Sequence, residues 1–292
     1  MNQHYSDYKP TDMNLHVIDT GFFKLDGGAM FGVVPKSLWS RTNPADENNL
    51  CTWAMRCLLI EDGEKLILID NGIGNKQSDK FFSHYYLHGS TNLRDSLKAA
   101  GFDTSEVTDM FLTHLHFDHC GGGVTYGTDD KLELVFNNAK YWSNSDHWKW
   151  ATEPNAREKA SFLKENILPI QESGHLDYVP LDGSSPFTQF DVITVDGHTD
   201  KQMLPKIKYK DKTIVFMADL LPSTGHIPLP YVMGYDTRPL LTLGEKEAFL
   251  NEAADNGYIL FLEHDAVNEC CTVKHTDKGV RLDETFSLKE VL

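Results

Sequence analysis

The chain has 292 residues, 40% of them hydrophobic and 24% charged, which is the composition of a folded globular protein. Its 27 basic and 43 acidic residues give a net charge of −16. Such a surface repels phosphate backbones and anionic membranes, which argues against nucleic acid and membranes as partners. Residues 1–12 are polar, contain Pro10 and show no periodicity, so we predict a loose N-terminal arm there. No repeat, linker or low-complexity tract divides the rest of the sequence, so we predict a single domain at residues 13–292.

The cysteines and the start of the chain bear on its cellular location. Five cysteines, an odd number without the spacing of a disulfide framework, indicate reduced thiols. The polar first residues do not resemble a signal peptide, and no apolar run approaches the roughly 18 residues of a membrane-spanning helix. The sequence therefore predicts a cytoplasmic protein.

Short apolar runs bounded by turn residues predict many strands and few helices. The first two strands, 14–20 and 29–34, flank Asp26-Gly27-Gly28 and predict a hairpin that opens the fold. Further strands are predicted at 51–60, 65–69, 107–112, 176–179, 190–195, 203–209, 213–217, 258–262, 271–274 and 280–283. Helices are predicted at 92–100, at 144–167 with a break near Pro154, and at 241–256. Strands that alternate with helices argue for α/β layering.

A dense group of potential metal ligands follows the strand predicted at 107–112. Four of them, at positions 114, 116, 118 and 119, fall within six residues, directly before the triple glycine 121–123. Side chains alternate across an extended backbone, so His114 and His116 point the same way, while a turn at Asp118 and His119 brings a second pair beside them. Burying so many polar groups as mere packing is costly. The segment is therefore a candidate for two adjacent metal sites.

Three more candidate ligands also lie where predicted strands end. His198, Asp219 and His264 follow the strands predicted at 190–195, 213–217 and 258–262. Loops at one edge of a rigid frame commonly carry functional residues. Asp70, at the end of the strand 65–69, is expected either beside these ligands or in a simple turn.

With these residues the sequence resembles the metallo-β-lactamase-fold hydrolases over nearly the whole chain. The family signature is His-x-His-x-Asp-His, followed by a distant His, an Asp and a final His. The resemblance implies an α/β fold of the four-layer αββα sandwich type and a dinuclear metal centre. Its implied ligands are His114, His116 and His198 for one ion, Asp118, His119 and His264 for the other, and Asp219 as the bridge between the two. Imidazole and carboxylate ligands suit two Zn²⁺ ions, with iron, manganese or cobalt as alternatives.

Two further strings resemble a narrower branch, the quorum-quenching N-acyl-homoserine lactonases. They are residues 26–39, which run from Asp26 to Trp39, and Met217-Ala218-Asp219-Leu220-Leu221-Pro222. The best-known lactonases have a tyrosine three residues after the bridging aspartate, where this chain has Pro222. His226 is then our candidate donor to the scissile carbonyl, with a surface histidine as the alternative. The apolar stretch 30–39 is expected to form an acyl-chain wall, or a core strand in its first half.

The resemblance implies hydrolysis by a hydroxide that bridges the two metal ions, acting on a small ester or lactone such as an N-acyl-homoserine lactone. Asp118 is expected to ligate and to accept a proton. The sequence leaves four further activities open: phosphotriester or phosphodiester hydrolysis, β-lactam hydrolysis, di-iron redox chemistry, and metal-dependent binding of a small molecule without catalysis. The oligomeric state is also open, with a homodimer as one option.

Overall fold

The computed structural model describes residues 13–292, and the arm predicted at 1–12 lies outside the described residues. The strands are β1 (Asn14–Asp26), β2 (Leu50–Asp62), β3 (Lys65–Ile69), β4 (Asp109–Phe111), β5 (Val124–Tyr126), β6 (Leu132–Leu134), β7 (Lys140–Ser143), β8 (Leu176–Tyr178), β9 (Phe190–Val195), β10 (Gln202–Tyr209), β11 (Lys212–Phe216), β12 (Ile259–Phe261), β13 (Cys270–Thr276) and β14 (Gly279–Phe286). The helices are α1 (Gly27–Phe31), α2 (Lys36–Trp39), α3 (Asp79–Phe82), α4 (Leu93–Ala99), α5 (Phe117–Cys120), α6 (Ser145–Thr152), α7 (Lys164–Glu172) and α8 (Pro239–Asn256). Between residues 13 and 292, none of the helices has the length and apolar character that a membrane-spanning segment needs.

Two six-stranded sheets form the centre of the fold. The first has the order β1-β2-β3-β4-β7-β8 and the second β14-β13-β12-β11-β10-β9. Side chains alternate along β2, so Leu58 and Ile60 pack between the sheets, while Cys57 and Leu59 pack on the opposite face. Helices α4, α6 and α7 cover that opposite face, and α8 packs on the second sheet. The αββα sandwich expected from the resemblance is confirmed.

The direction of the strands brings their carboxyl ends to common edges. Strands β3 and β4 are parallel, so the chain leaves both at one edge of the first sheet. In the second sheet β11 and β12 are parallel, and β9 runs the same way because β10 is antiparallel to both β9 and β11. The segments that follow β9, β11 and β12 therefore emerge at one edge as well.

The hairpin predicted at the start of the chain is wrong. Residues 29–34 do not form a strand; residues 27–31 form α1, and the Asp26 side chain accepts a hydrogen bond from the Ala29 N–H at 2.8 Å. Asp26 is the N-cap of this helix. Aspartate is common both at helix N-caps and in turns, so the local sequence does not distinguish the two. The partner of β1 is instead β2, from Asn14 opposite Glu61 to Asp26 opposite Leu50.

Most of the remaining predicted elements are present. The strands predicted at 51–60, 65–69, 203–209 and 213–217 are confirmed with shifted ends and pair as the hairpins β2–β3 and β10–β11, and the helices near 92–100 and 241–256 are confirmed with shifted ends as well. The helical region predicted at 144–167 is two helices, α6 and α7, joined by an irregular segment at residues 153–163. All five cysteines are buried free thiols.

Candidate metal centre

The segment 113–123 is held in place by Asp70 and by close backbone contacts. One Asp70 carboxylate oxygen accepts the Thr113 N–H at 2.8 Å and the other accepts the Thr113 hydroxyl at 2.7 Å. The chain then turns into the short helix α5. At Gly121 and Gly122 an added Cβ would lie 2.2 Å and 2.1 Å from the backbone oxygens of Ile73 and Asn71, so only glycine fits there.

A first group of ligand atoms joins this segment to the second sheet. It contains His114, His116, His198 and Asp219, whose ligand atoms all lie within 4.8 Å of one another. The Nδ1 atom of His116 is 3.0 Å from His114 Nε2 and 3.1 Å from His198 Nε2. Asp219 Oδ2 lies 3.1 Å from His198 Nε2.

A second group lies on the other side of Asp219. It contains Asp118, His119 and His264, again with ligand atoms within 4.8 Å of one another. Asp219 Oδ1 is 3.0 Å from His264 Nε2 and 3.4 Å from His119 Nε2. One aspartate thus offers one oxygen to each group, and the seven side chains predicted as ligands meet at one place.

Four of the five histidines in these groups have their outer nitrogen engaged by a neighbouring group, so in the neutral form their inner nitrogen carries a lone pair that faces the centre. The outer contacts are His114 Nδ1 to Thr113 Oγ1 at 3.1 Å, His119 Nδ1 to Asp70 Oδ2 at 3.0 Å, His198 Nδ1 to Asp236 Oδ1 at 2.9 Å and His264 Nδ1 to the Ala54 carbonyl at 2.7 Å. Each of these acceptors requires a proton on the outer nitrogen. Lone pairs that face one another at 3.0 to 3.1 Å repel unless a proton or a metal ion lies between them. The donor set therefore fits two divalent ions, with second partners that orient each imidazole.

The electrostatics point the same way. Burial lowers the pKa of His264, but the charge and hydrogen bond of Asp219 and the charge of Glu263 together outweigh that effect and raise the pKa to about 9. The pKa values of His119 and His198 are also raised, since nearby carboxylates overcome the effect of burial. The pKa of Asp219 is held well below its ordinary value despite its burial, because His119, His198 and His264 surround it. The carboxylates around these histidines therefore favour the binding of cations at this site.

Three acidic residues that contact these histidines were not predicted from the sequence. Asp236 contacts His198, Glu158 Oε1 lies 3.6 Å from His116 Nε2, and Glu263 Oε2 lies 3.1 Å from His119 Nδ1. For Glu263, its position directly before the candidate ligand His264 is the one sequence feature that could have indicated its role. Glu158 and Asp236 lie in irregular segments, and no motif marks them.

A cavity of about 340 Å³ opens above the two groups. Its apolar wall contains Leu25, Met30, Phe117 and Met233, and its polar wall includes Tyr85, Tyr235, Arg157, Glu158 and the candidate ligands His116, Asp118, His198, Asp219 and His264. Of the predicted acyl-chain wall at 30–39, Met30 lines the cavity, whereas Trp39 is buried against Phe31 with ring centroids 5.3 Å apart.

His226 does not reach this cavity, which corrects its predicted role as a donor to substrate. It is 1% exposed and stacks on Phe31 with ring centroids 4.4 Å apart. Its Nε2–H donates to the Met30 carbonyl at 3.0 Å, so its Nδ1 accepts the Ser223 hydroxyl at 2.8 Å. Burial lowers the pKa of His226 to about 3. Both ring nitrogens are therefore used inside the protein, and we assign His226 a structural role.

A profile of the Metallo-beta-lactamase superfamily matches residues 56–264. The chain belongs to this superfamily. Among curated relatives, the N-acyl homoserine lactonase of Bacillus thuringiensis is 25% identical over 157 residues, which is 50% of this chain and 54% of that protein. A lactonase of Bacillus cereus is 26% identical over the same length. The chain thus spans about half the length of the curated relatives that it matches.

Two solved structures match almost the whole chain. A probable metal-dependent hydrolase from Staphylococcus aureus superposes with a TM-score of 0.85 at 28% identity, covering 96% of this chain and 98% of that one. AidC, a dizinc quorum-quenching lactonase in complex with a product, superposes with a TM-score of 0.78 at 23% identity, covering 96% and 97%. The resemblance to this superfamily and to its lactonase branch is confirmed, and together with the histidine and aspartate groups it implies divalent metal.

Proposed function

We propose that the protein is a dinuclear metal-dependent hydrolase that opens small esters or lactones, with N-acyl-homoserine lactones as the first substrates to test. The observation that carries this proposal is Asp219, which offers one oxygen to each of two buried histidine groups at the floor of a half-apolar cavity. The lactonase relatives support the substrate class.

The proposed ligands follow the two groups of side chains. One ion would be held by His114, His116 and His198, the other by Asp118, His119 and His264, with Asp219 shared between them. Two Zn²⁺ ions suit this donor set, and iron, manganese or cobalt are the alternatives. When bound, two divalent ions would supply an activated water at neutral pH and polarise a carbonyl oxygen.

The remaining chemistry falls to side chains of the cavity. Asp118 lines the cavity and is positioned to accept a proton from an attacking water. Burial and the charge of Asp118 raise the pKa of the Tyr85 phenol to about 12. The pKa of Tyr235 is also raised, because its hydroxyl is partly removed from water although the residue as a whole is 41% exposed. Both phenols keep their protons at neutral pH and can donate a hydrogen bond to a developing oxyanion or alkoxide.

The apolar wall suits an acyl chain. Leu25, Met30, Phe117 and Met233 form one side of the cavity. Each Å² of apolar surface removed from water there contributes about 25 cal/mol, so several methylenes of an acyl chain would add measurably to affinity. A lactone ring near the histidines and a chain along this wall would use both halves of the cavity.

A substrate panel tests the proposal directly. The zinc-loaded protein should hydrolyse acyl lactones or aryl esters and lose that activity when a chelator removes the metal. Asp219→Ala should abolish nearly all turnover, and unchanged activity in a metal-analysed variant would refute the mechanism. Turnover of phosphotriesters, cyclic phosphodiesters or β-lactams instead would reassign the substrate. A coloured, iron-loaded protein with redox activity would favour di-iron chemistry, and ligand affinity without any turnover would favour a binding protein.

A further inference from the structure

Glu158 lies in the irregular segment 153–163 and is buried, with 3% of its surface exposed. One carboxylate oxygen, Oε2, accepts hydrogen bonds from the Trp150 indole N–H at 2.8 Å and from the Asn155 side-chain amide at 2.5 Å. These two donors fix the direction of the carboxylate. The Glu158 side chain is therefore held in one rotamer, and its other oxygen, Oε1, has a defined position.

Oε1 faces the metal-ligand candidates. It lies 3.6 Å from His116 Nε2, and neither atom has a closer hydrogen-bond partner among residues 13–292. The buried hydroxyl of Thr199, next to His198 in the chain, also lies beside this carboxylate. Burial alone would raise the pKa of Glu158, but the proximity of His116 and Thr199 and the hydrogen bond from Asn155 lower it to about 2.

The need for an acceptor at this point follows from the geometry of His116. Its Nδ1 atom faces His114 Nε2 and His198 Nε2, at 3.0 and 3.1 Å. If Nδ1 binds a metal ion, the proton of the neutral ring must be on Nε2, and a buried N–H without an acceptor is costly. Within the described part of the chain, the Glu158 carboxylate is the acidic group within salt-bridge distance of that nitrogen.

We propose that Glu158 is a positioning residue, which accepts the Nε2–H of His116 and thereby holds its Nδ1 towards the metal ion bound by His114 and His198. This inference rests on the metal ligands proposed above. Glu158 also lines the cavity, so one residue of the cavity wall would help to orient a metal ligand. Arg157, the preceding residue, donates to the Asp236 carbonyl at 3.2 Å, and Asp236 orients His198. The segment 153–163 thus contacts one ligand of this ion, His116, directly and contacts Asp236, the partner of a second ligand.

The surroundings of Glu158 require a carboxylate, not merely a side chain of this size. His116, Thr199, Trp150 and Asn155 can all donate hydrogen bonds to it. A glutamine would place its NH₂ group against donors, whichever way its amide were turned. Glu158→Gln therefore separates the proposed role from simple packing, since the two side chains have almost the same volume.

The decisive measurement is metal affinity, by competition with a chromophoric chelator. Glu158→Gln should weaken the binding of one of two ions by about 10- to 100-fold and leave the other unchanged. The matched control is Glu153→Gln, an exposed glutamate in the same segment, which should bind both ions as the wild type does. Thermal unfolding of the metal-free variants shows whether each is folded. Wild-type affinity in a folded Glu158→Gln protein would overturn the inference.

A measurement on the wild-type protein does not depend on how any variant folds. In the metal-loaded protein, ¹⁵N NMR should find His116 protonated at Nε2, with a proton that exchanges slowly and is shifted downfield by a carboxylate acceptor. A fast-exchanging Nε2 proton would contradict the role of Glu158. His116→Ala separates the two levels of the proposal: if it binds both ions as the wild type does, the ligand assignment itself fails.

Discussion

At the scale of single residues, the two phenols of the cavity give the sharpest test of catalysis. Tyr85→Phe and Tyr235→Phe remove only a hydroxyl, and we expect the double variant to lower kcat by about 10²- to 10³-fold, the usual effect of losing an oxyanion donor. KM and metal content should change little. The control is Tyr86→Phe, since this neighbour is 51% exposed and does not line the cavity. Wild-type kcat in the double variant would mean that the donor lies elsewhere.

Protons and metal ions compete for the same histidine nitrogens. The pKa values of His119 and His198 are raised and that of His264 is raised to about 9, so the metal-free protein holds protons at these histidines more tightly than free imidazoles do, and His264 is protonated at pH 7. Metal binding must displace them. Apparent affinity should therefore rise with pH until pH exceeds about 9 and His264 is neutral.

Calorimetry in two buffers of different ionisation enthalpy checks this expectation. The heat of binding should depend on the buffer at pH 7, and the number of released protons should fall as the pH approaches 9. His264→Ala should release fewer protons. A binding heat that is the same in all buffers would show that no protons are displaced.

The ligands themselves could be predicted from the sequence, whereas their outer partners could not. Donors of one chemical kind recur directly after apolar runs at His114, His198 and His264, and that repetition is visible in a string of letters. Glu158 and Asp236 reach their histidines from irregular segments, where no period fixes the direction of a side chain. The contact of His226 with Met30 was equally hidden, because it joins residues 196 positions apart.

At the scale of elements, the error at residues 27–31 has a clear physical source. Glycines after an aspartate predict a turn, yet the same aspartate can cap a helix. The hairpin partner of β1 is β2, which pairs with it from Asn14 to Asp26 and takes the place expected for a strand at 29–34. Long-range pairing thus overrides the local signal. Strands whose partner is adjacent in sequence, such as β2 and β3, form where they are predicted, because the local signal and the sheet pairing agree there.

Helix α8 fixes the loop that borders the cavity through one buried cation. Lys246 Nζ donates to the carbonyls of His226, Pro228 and Tyr231 at 3.0, 3.4 and 2.7 Å. Lys246→Met keeps the apolar stem but leaves these carbonyls unpaired, and we expect it to lower the free energy of unfolding by about 2–3 kcal/mol. Urea unfolding of the metal-free protein measures this change. Glu247→Met, at an exposed position beside it on α8, should be nearly neutral; equal stabilities of the two variants would contradict the role of Lys246.

At the scale of the whole molecule, the topology explains why distant residues meet. Parallel pairing of β11 with β12, and the matching direction of β9, bring the segments with His198, Asp219 and His264 to one edge. The sequence shows that ligands follow strands, but strand order comes only from the fold. The organisation of residues 13–292 as one domain, the cytoplasmic location and a homodimer remain predictions.

The net charge of −16 predicts that kcat/KM depends on the charge of the substrate. Two divalent ions would leave the chain strongly negative, so anionic substrates should be repelled over the Debye length, about 30 Å at 0.01 M salt but about 8 Å at 0.15 M. Raising the salt across that range should increase kcat/KM several-fold for an anionic ester and leave a neutral lactone of similar size unaffected. The neutral substrate is the internal control, because salt that altered the metal centre would change both. A lower kcat/KM for the anionic ester at high salt would instead indicate that the positive charge of the metal ions dominates the entrance of the cavity.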